Sequence, residues 1–165
     1  MPGVAATAAG TMLDPMSDYV VPTLRIDLLA EARDAYRAMA AFDRSIELDP
    51  DLRELVKIRA SQINGCAFCL DLHLTDAREL GIGAQRLDTL AGWHDSPFFT
   101  PRERAALALT EAMTRLVDGP VPDDVYAEAE RHFDAPALAQ LILAIVAINS
   151  WNRIAVTSQK RPPTR

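Results

Sequence analysis

The chain has 165 residues, a formal net charge of −6 and an isoelectric point near 5.0, which disfavours nucleic-acid binding because phosphate neutralisation needs a basic face. Hydrophobic residues make up 49%, enough for a single domain to bury a core without disulfide staples, and two cysteines are too few for a disulfide scaffold. No continuous run approaches the roughly 18 apolar residues of a membrane span, and the opening MPGVAATAAGT lacks the charged and apolar regions of a signal peptide, so no membrane association and a cytoplasmic setting are expected.

Residues 1–18 hold little that could pack and read as a mobile tail. From Leu28 to Leu48, apolar Leu29, Ala32, Tyr36 and Met39 recur at helical spacing, with Glu31, Arg33, Asp34 and Arg37 outward. Asp49-Pro50 ends that helix, since a residue before proline is pushed out of the helical region. Asp51 then reads as an N-cap, with Glu54 three residues later completing a capping-box pattern. This helix runs to about Ile63, and Asn64-Gly65 supplies a turn. Cys66 starts the next helix, which ends at Gly81-Ile82-Gly83, and a short one follows over about Ala84 to Ala91. Thr100 caps a helix that opens with Pro101, has Glu103 three residues past the cap, and ends at Asp118-Gly119-Pro120. Another covers about Pro122 to Phe133, and the last runs from after Asp134 to about Gln159.

These elements predict an all-α fold, a compact bundle of about seven helices over residues 19–159, followed by a solvated basic tail at 160–165. The stretch from Ala137 to Ile148 is apolar nearly all round and needs more cover than one core face supplies, which predicts a homo-oligomer.

The chemistry concentrates in one segment. Cys66 and Cys69 are separated by two residues, a spacing that suits redox or metal chemistry. They sit in the first turn of a helix, where unpaired N–H groups and the helix dipole favour a thiolate. His73 is four residues beyond Cys69 and therefore on the same face. If Asn64-Gly65 joins an antiparallel helix pair, Glu54 lies about 15 Å before the turn and His73 about 12 Å after it, at similar heights. A carboxylate beside an imidazole raises its basicity, and the imidazole can then deprotonate a thiol.

Blander readings remain open beside this one. The cysteines could be small buried hydrophobes, Glu54 could be only a cap, and Cys66, Cys69, His73 and Glu54 could together hold zinc. His94 and His132 lack partners at telling spacing, and Trp93 and Trp151 read as packing aromatics. Asn152 and Arg153 either line a subunit contact or solvate the end of the apolar helix.

The segment from Glu54 to about Gly81 resembles the core motif of the alkylhydroperoxidase D family, within the wider carboxymuconolactone decarboxylase-like superfamily. The motif is a glutamate, eleven residues, Cys-x-x-Cys, three residues and a histidine, matched by Glu54, Cys66, Cys69 and His73. Ser96 to Leu107 and Asn149 to Arg153 resemble its weaker downstream signatures, so the resemblance covers about residues 20–158.

The resemblance implies a helical homo-oligomer, trimer or hexamer, that reduces hydroperoxides through a dithiol–disulfide cycle. It makes Cys69 the peroxide-attacking sulfur and Cys66 the resolving one, with a lipoyl-bearing protein or a peroxiredoxin as redox partner. No cofactor and no metal are expected. The best-known members carry a histidine between the cysteines where this chain has Phe68, a change that bears on partner choice and peroxidase strength. Two alternatives stand beside the peroxidase: a redox adaptor passing electrons between proteins, and a decarboxylase-like enzyme using Glu54 or His73 for proton transfer.

Overall fold

The computed structural model describes residues 23–164, so the tail expected over 1–18 lies outside the described residues. Eight α-helices follow one another: α1 (Leu28–Glu31), α2 (Arg33–Arg44), α3 (Pro50–Asn64), α4 (Ala67–Glu79), α5 (Ala84–Asp88), α6 (Pro101–Thr114), α7 (Asp123–His132) and α8 (Ala135–Ser158). Single 3-10 turns occur at Leu90–Gly92 and Leu116–Asp118, and the described residues contain no strand.

The all-α expectation holds, and the extra helix comes from the N-terminal element. Its helical spacing carried no signal of the break at Ala32, which adopts φ −134° and ψ 49°. Asp27 caps the short α1 by accepting from the Leu29 and Ala30 amides. Tyr36 and Met39 are half-buried as expected, whereas Leu29 and Ala32 are exposed.

The start of α3 also differs from expectation. Asp49, not Asp51, is the N-cap: its Oδ1 accepts from Leu52 N at 3.2 Å. Pro50 occupies the first helical position, where a missing N–H costs nothing. The dipeptide therefore ends one element and opens the next. Glu54 falls outside the capping turn.

α3 is the central helix, packed by α4, α6 and α8. Leu52 and Val56 join Leu109, Leu141 and Ile145 on one side, while Leu55 and Ile58 join Leu90, Trp93 and Leu107 on the other. Gly65 ends α3 in the left-handed region (φ +65°), and Cys66 N returns to Ser61 O at 3.0 Å. That reversal lays α4 alongside α3. A third cluster gathers Ala60, Cys66, Cys69, Ile148 and Ala155, with Phe68 and Trp151 against it.

Thr100 and Glu103 form the expected capping box, although α6 stops at Thr114, short of the predicted end. α8 is long and apolar enough to cross a membrane by length and composition alone. In this fold it packs against α2, α3, α4, α6 and α7 and leaves an outer face of Leu143, Val146 and Val156. Gln159 closes it with φ +55°, so that Lys160 N donates to Ala155 O at 2.9 Å.

Candidate active site

Cys66 is the N-cap of α4, and its Sγ accepts from Cys69 N at 3.3 Å. The two cysteines are paired as a disulfide with Cα atoms 5.3 Å apart. Both are almost completely buried, at 1% and 3% exposure. The sulfurs occupy the first turn of a 13-residue helix, at the positive end of its dipole.

His73 follows one turn below Cys69 and is also buried, as is Glu54 on α3. His73 Nδ1 lies 2.9 Å from Glu54 Oε2, so the hairpin through Gly65 brings the two to the same height. With Nδ1–H donating to the carboxylate, Nε2 becomes the basic nitrogen. Asp49 has taken the cap, which leaves Glu54 with the histidine as its partner.

Asp76, one turn further along α4, extends this pair. Its Oδ2 is 3.8 Å from His73 Nδ1. Burial raises its carboxyl above the ordinary 3.8, and the charges of Glu54 and Glu79 push the same way, against the pull of His73 and Lys57. Donor atoms of Glu54, His73 and Asp76 lie within 4.8 Å of one another, close enough to offer a metal three ligands. The zinc set considered from the sequence is not assembled in this structure, because Cys66 and Cys69 bond each other. Sequence reading missed Asp76, although its i,i+3 step from His73 was available.

Cys69 and His73 share the wall of a cavity of about 280 Å³. Tyr36, Phe68, Leu72, Trp151 and Ile154 give it an apolar lining, with Tyr36 and Trp151 edge-on at 5.1 Å between centroids. Trp151 thus lines the cavity as well as packing. Lys160 reaches the same cavity from the end of α8.

The remaining candidates lie elsewhere. His94 stacks on buried Trp93, and His132 pairs with Glu128 at 3.0 Å. Asn152 is fully buried, contrary to both readings of it: its Nδ2 donates to Ser61 Oγ and its Oδ1 accepts from Asn64, each at 2.9 Å. Asn149 also accepts from Asn64 at 2.9 Å and donates to Thr114. This polar ladder ties the end of α3 to α8 beside the cysteine turn. An apolar helix needs such partners wherever it carries a buried amide. Exposed Arg153 folds back onto the Asn149 carbonyl at 2.8 Å.

Residues 28–112 match the model of the carboxymuconolactone decarboxylase family. The uncharacterized protein YdfG of Bacillus subtilis (strain 168) is 40% identical over 127 residues, covering 77% of this chain and 86% of its own length. A solved protein of unknown function from Agrobacterium tumefaciens, whose name suggests antioxidant defence, is 35% identical. It superposes with a TM-score of 0.83 over 87% of this chain and 100% of its own. The alkylhydroperoxidase core of an uncharacterized peroxidase-related protein from Ralstonia eutropha JMP134 shares the fold, with a TM-score of 0.72 at 22% identity over 82% of this chain and 74% of its own.

Proposed function

The chain belongs to the carboxymuconolactone decarboxylase family, as an alkylhydroperoxidase D-like member, and from that premise we propose that it is a thiol-dependent peroxidase. The observation that carries the reading is the buried His73–Glu54 pair, 2.9 Å apart, whose histidine shares a cavity wall with Cys69. Cys66 lies within disulfide reach of the same sulfur.

In the reduced protein His73 holds its Nδ1 proton on Glu54 and takes the Cys69 proton at Nε2, directly or through a water. The thiolate attacks the terminal oxygen of a hydroperoxide. The O–O bond breaks, Cys69 becomes a sulfenic acid, and the departing alkoxide takes a proton from the imidazolium to leave as an alcohol. Cys66 sulfur then attacks Cys69 sulfur. The S–O bond breaks, hydroxide leaves as water with the Cys66 proton, and the disulfide forms. An external dithiol restores both thiols and is itself oxidised. Burial of both sulfurs favours small or narrow reaction partners, which suits a hydroperoxide and a slender reductant such as a lipoyl arm. A peroxiredoxin is a further candidate partner, and a cytoplasmic setting would keep the dithiol supplied.

The test is thiol titration of the reduced protein with and without excess hydroperoxide, followed by mass spectrometry. Two thiols per chain are expected to disappear, with a Cys66–Cys69 disulfide and one alcohol formed per disulfide. Thiol loss only on mixing with an oxidised protein would replace the peroxidase with a redox adaptor. Unchanged thiols together with proton exchange at carbon would point to decarboxylase-like use of Glu54 and His73.

A further inference from the structure

The cavity beside Cys69 has more character than hydrogen peroxide needs. Its volume of about 280 Å³ falls just below the range usual for drug-sized ligands, so it holds a small organic molecule. Its walls are aromatic and branched apolar side chains on three elements: Tyr36 from α2, Phe68 and Leu72 from α4, and Trp151 and Ile154 from α8. Water or hydrogen peroxide fills such a space poorly, because neither satisfies an apolar wall.

Two charged residues also line it, and they are not equivalent. Asp43 is neutralised from outside the cavity, since Lys57 Nζ lies 3.0 Å from its Oδ1. Lys160 has no such counterpart. Its Nζ sits 4.4 Å from the centroid of the Phe68 ring, 6.0 Å from that of Tyr36 and 3.4 Å from the Tyr36 hydroxyl. No carboxylate among the described residues lies within ion-pair distance of it. Its backbone is placed by the helix end, where left-handed Gln159 turns the chain and Lys160 N bonds Ala155 O. The cavity therefore presents a net positive charge at one edge, held on aromatic faces, with sulfur and imidazole in its wall.

We propose that the preferred substrate is a small aromatic hydroperoxide that carries a carboxylate. Its ring lies among Tyr36, Phe68, Leu72 and Trp151, its peroxide meets Cys69, and its carboxylate pairs with Lys160. The reaction is the one written above, with the carboxylated alcohol and water as products. This inference names the ligand of the peroxidase site and rests on that reading for its chemistry, though not for its binding.

The experiment compares 4-carboxycumene hydroperoxide with cumene hydroperoxide on the reduced full chain, in the original protein, Lys160→Gln and Lys160→Arg. In parallel, calorimetry measures binding of the two stable alcohols derived from these peroxides. A carboxylate on an exposed ammonium is expected to favour the charged peroxide by roughly three- to tenfold in the second-order rate of thiol oxidation, read in a single turnover of the reduced chain. Lys160→Gln should erase that preference and Lys160→Arg should keep most of it, with the same pattern in alcohol affinity. Equal treatment of the two peroxides by the original protein, or a preference that survives Lys160→Gln, overturns the proposal. If neither peroxide is turned over but the charged alcohol binds in a Lys160-dependent way, the ligand class stands and the peroxidase reading falls. If neither alcohol binds while peroxides react, the ligand class falls alone.

Discussion

Glu54 stands five residues beyond the Asp49 cap, and that displacement separates the two roles its sequence position allowed. A capping residue acts on stability, whereas a carboxylate on imidazole acts on reactivity. His73→Phe is expected to leave the fold intact and slow the peroxide reaction by about 10²–10⁴-fold, the usual size of a lost acid–base group. Glu54→Gln keeps the shape but removes the charge that supports the imidazole, so the reaction should slow and its pH profile shift. Asp49→Ala should instead cost about 1 kcal/mol of stability, with the rate unchanged. Melting temperature and Cys69 alkylation rate against pH, measured on all three variants, distinguish these outcomes. Full Cys69 reactivity in both His73→Phe and Glu54→Gln would remove the relay and leave a bare dithiol at a helix start.

Glu111 shows how the elements around the site are locked. From α6 its Oε1 accepts from Trp93 Nε1 at 2.7 Å and from Arg59 Nε of α3 at 2.8 Å. Burial alone would raise its carboxyl. The hydrogen bonds from Trp93 and Arg59, with the charges of Arg59 and His94, outweigh that and hold it below the ordinary 4.5. A carboxyl lowered by folding contributes stability that is present above its unfolded value and lost as pH falls through its folded value. Glu111→Gln should therefore lower stability at pH 7 by about 1–2 kcal/mol, discounted for partial solvent access. It should also flatten the decline in melting temperature as pH falls below the ordinary 4.5. An acid limb unchanged by the substitution would show that the contacts of Glu111 carry no net stability.

At the scale of the molecule, α8 is buried by five neighbouring helices yet still shows Leu143, Val146 and Val156 to solvent. An apolar face on a helix that also serves the core calls for a further partner, and a second copy of the chain is the expected one. Light scattering over a dilution series should give a mass well above the 18.1 kDa of one chain, and Val146→Asp should lower it. A mass that stays near one chain throughout would refute the oligomer.

What the sequence determined by itself is whatever short range decides. The Thr100–Glu103 capping box, the Gly65 reversal and the Cys66-x-x-Cys69-x-x-x-His73 face each depend on residues within a turn or two, where helix geometry converts spacing directly into position. Even there Asp49 displaced Asp51 as the cap, because a proline can open a helix as readily as it ends one. The tertiary structure alone decided what lies across helices. The 19-position separation of Glu54 and His73 closes only through the α3–α4 hairpin, and spacing could suggest that approach without fixing its 2.9 Å. Tyr36 and Lys160 meet across 124 residues, and buried Asn152 finds Ser61 across 91. Such pairings depend on how apolar faces choose one another, and hydrophobic attraction has no direction for a linear pattern to encode. The dithiol and its histidine were therefore legible in the chain, while the cavity that Cys69 faces, and the ammonium at its edge, came only with packing.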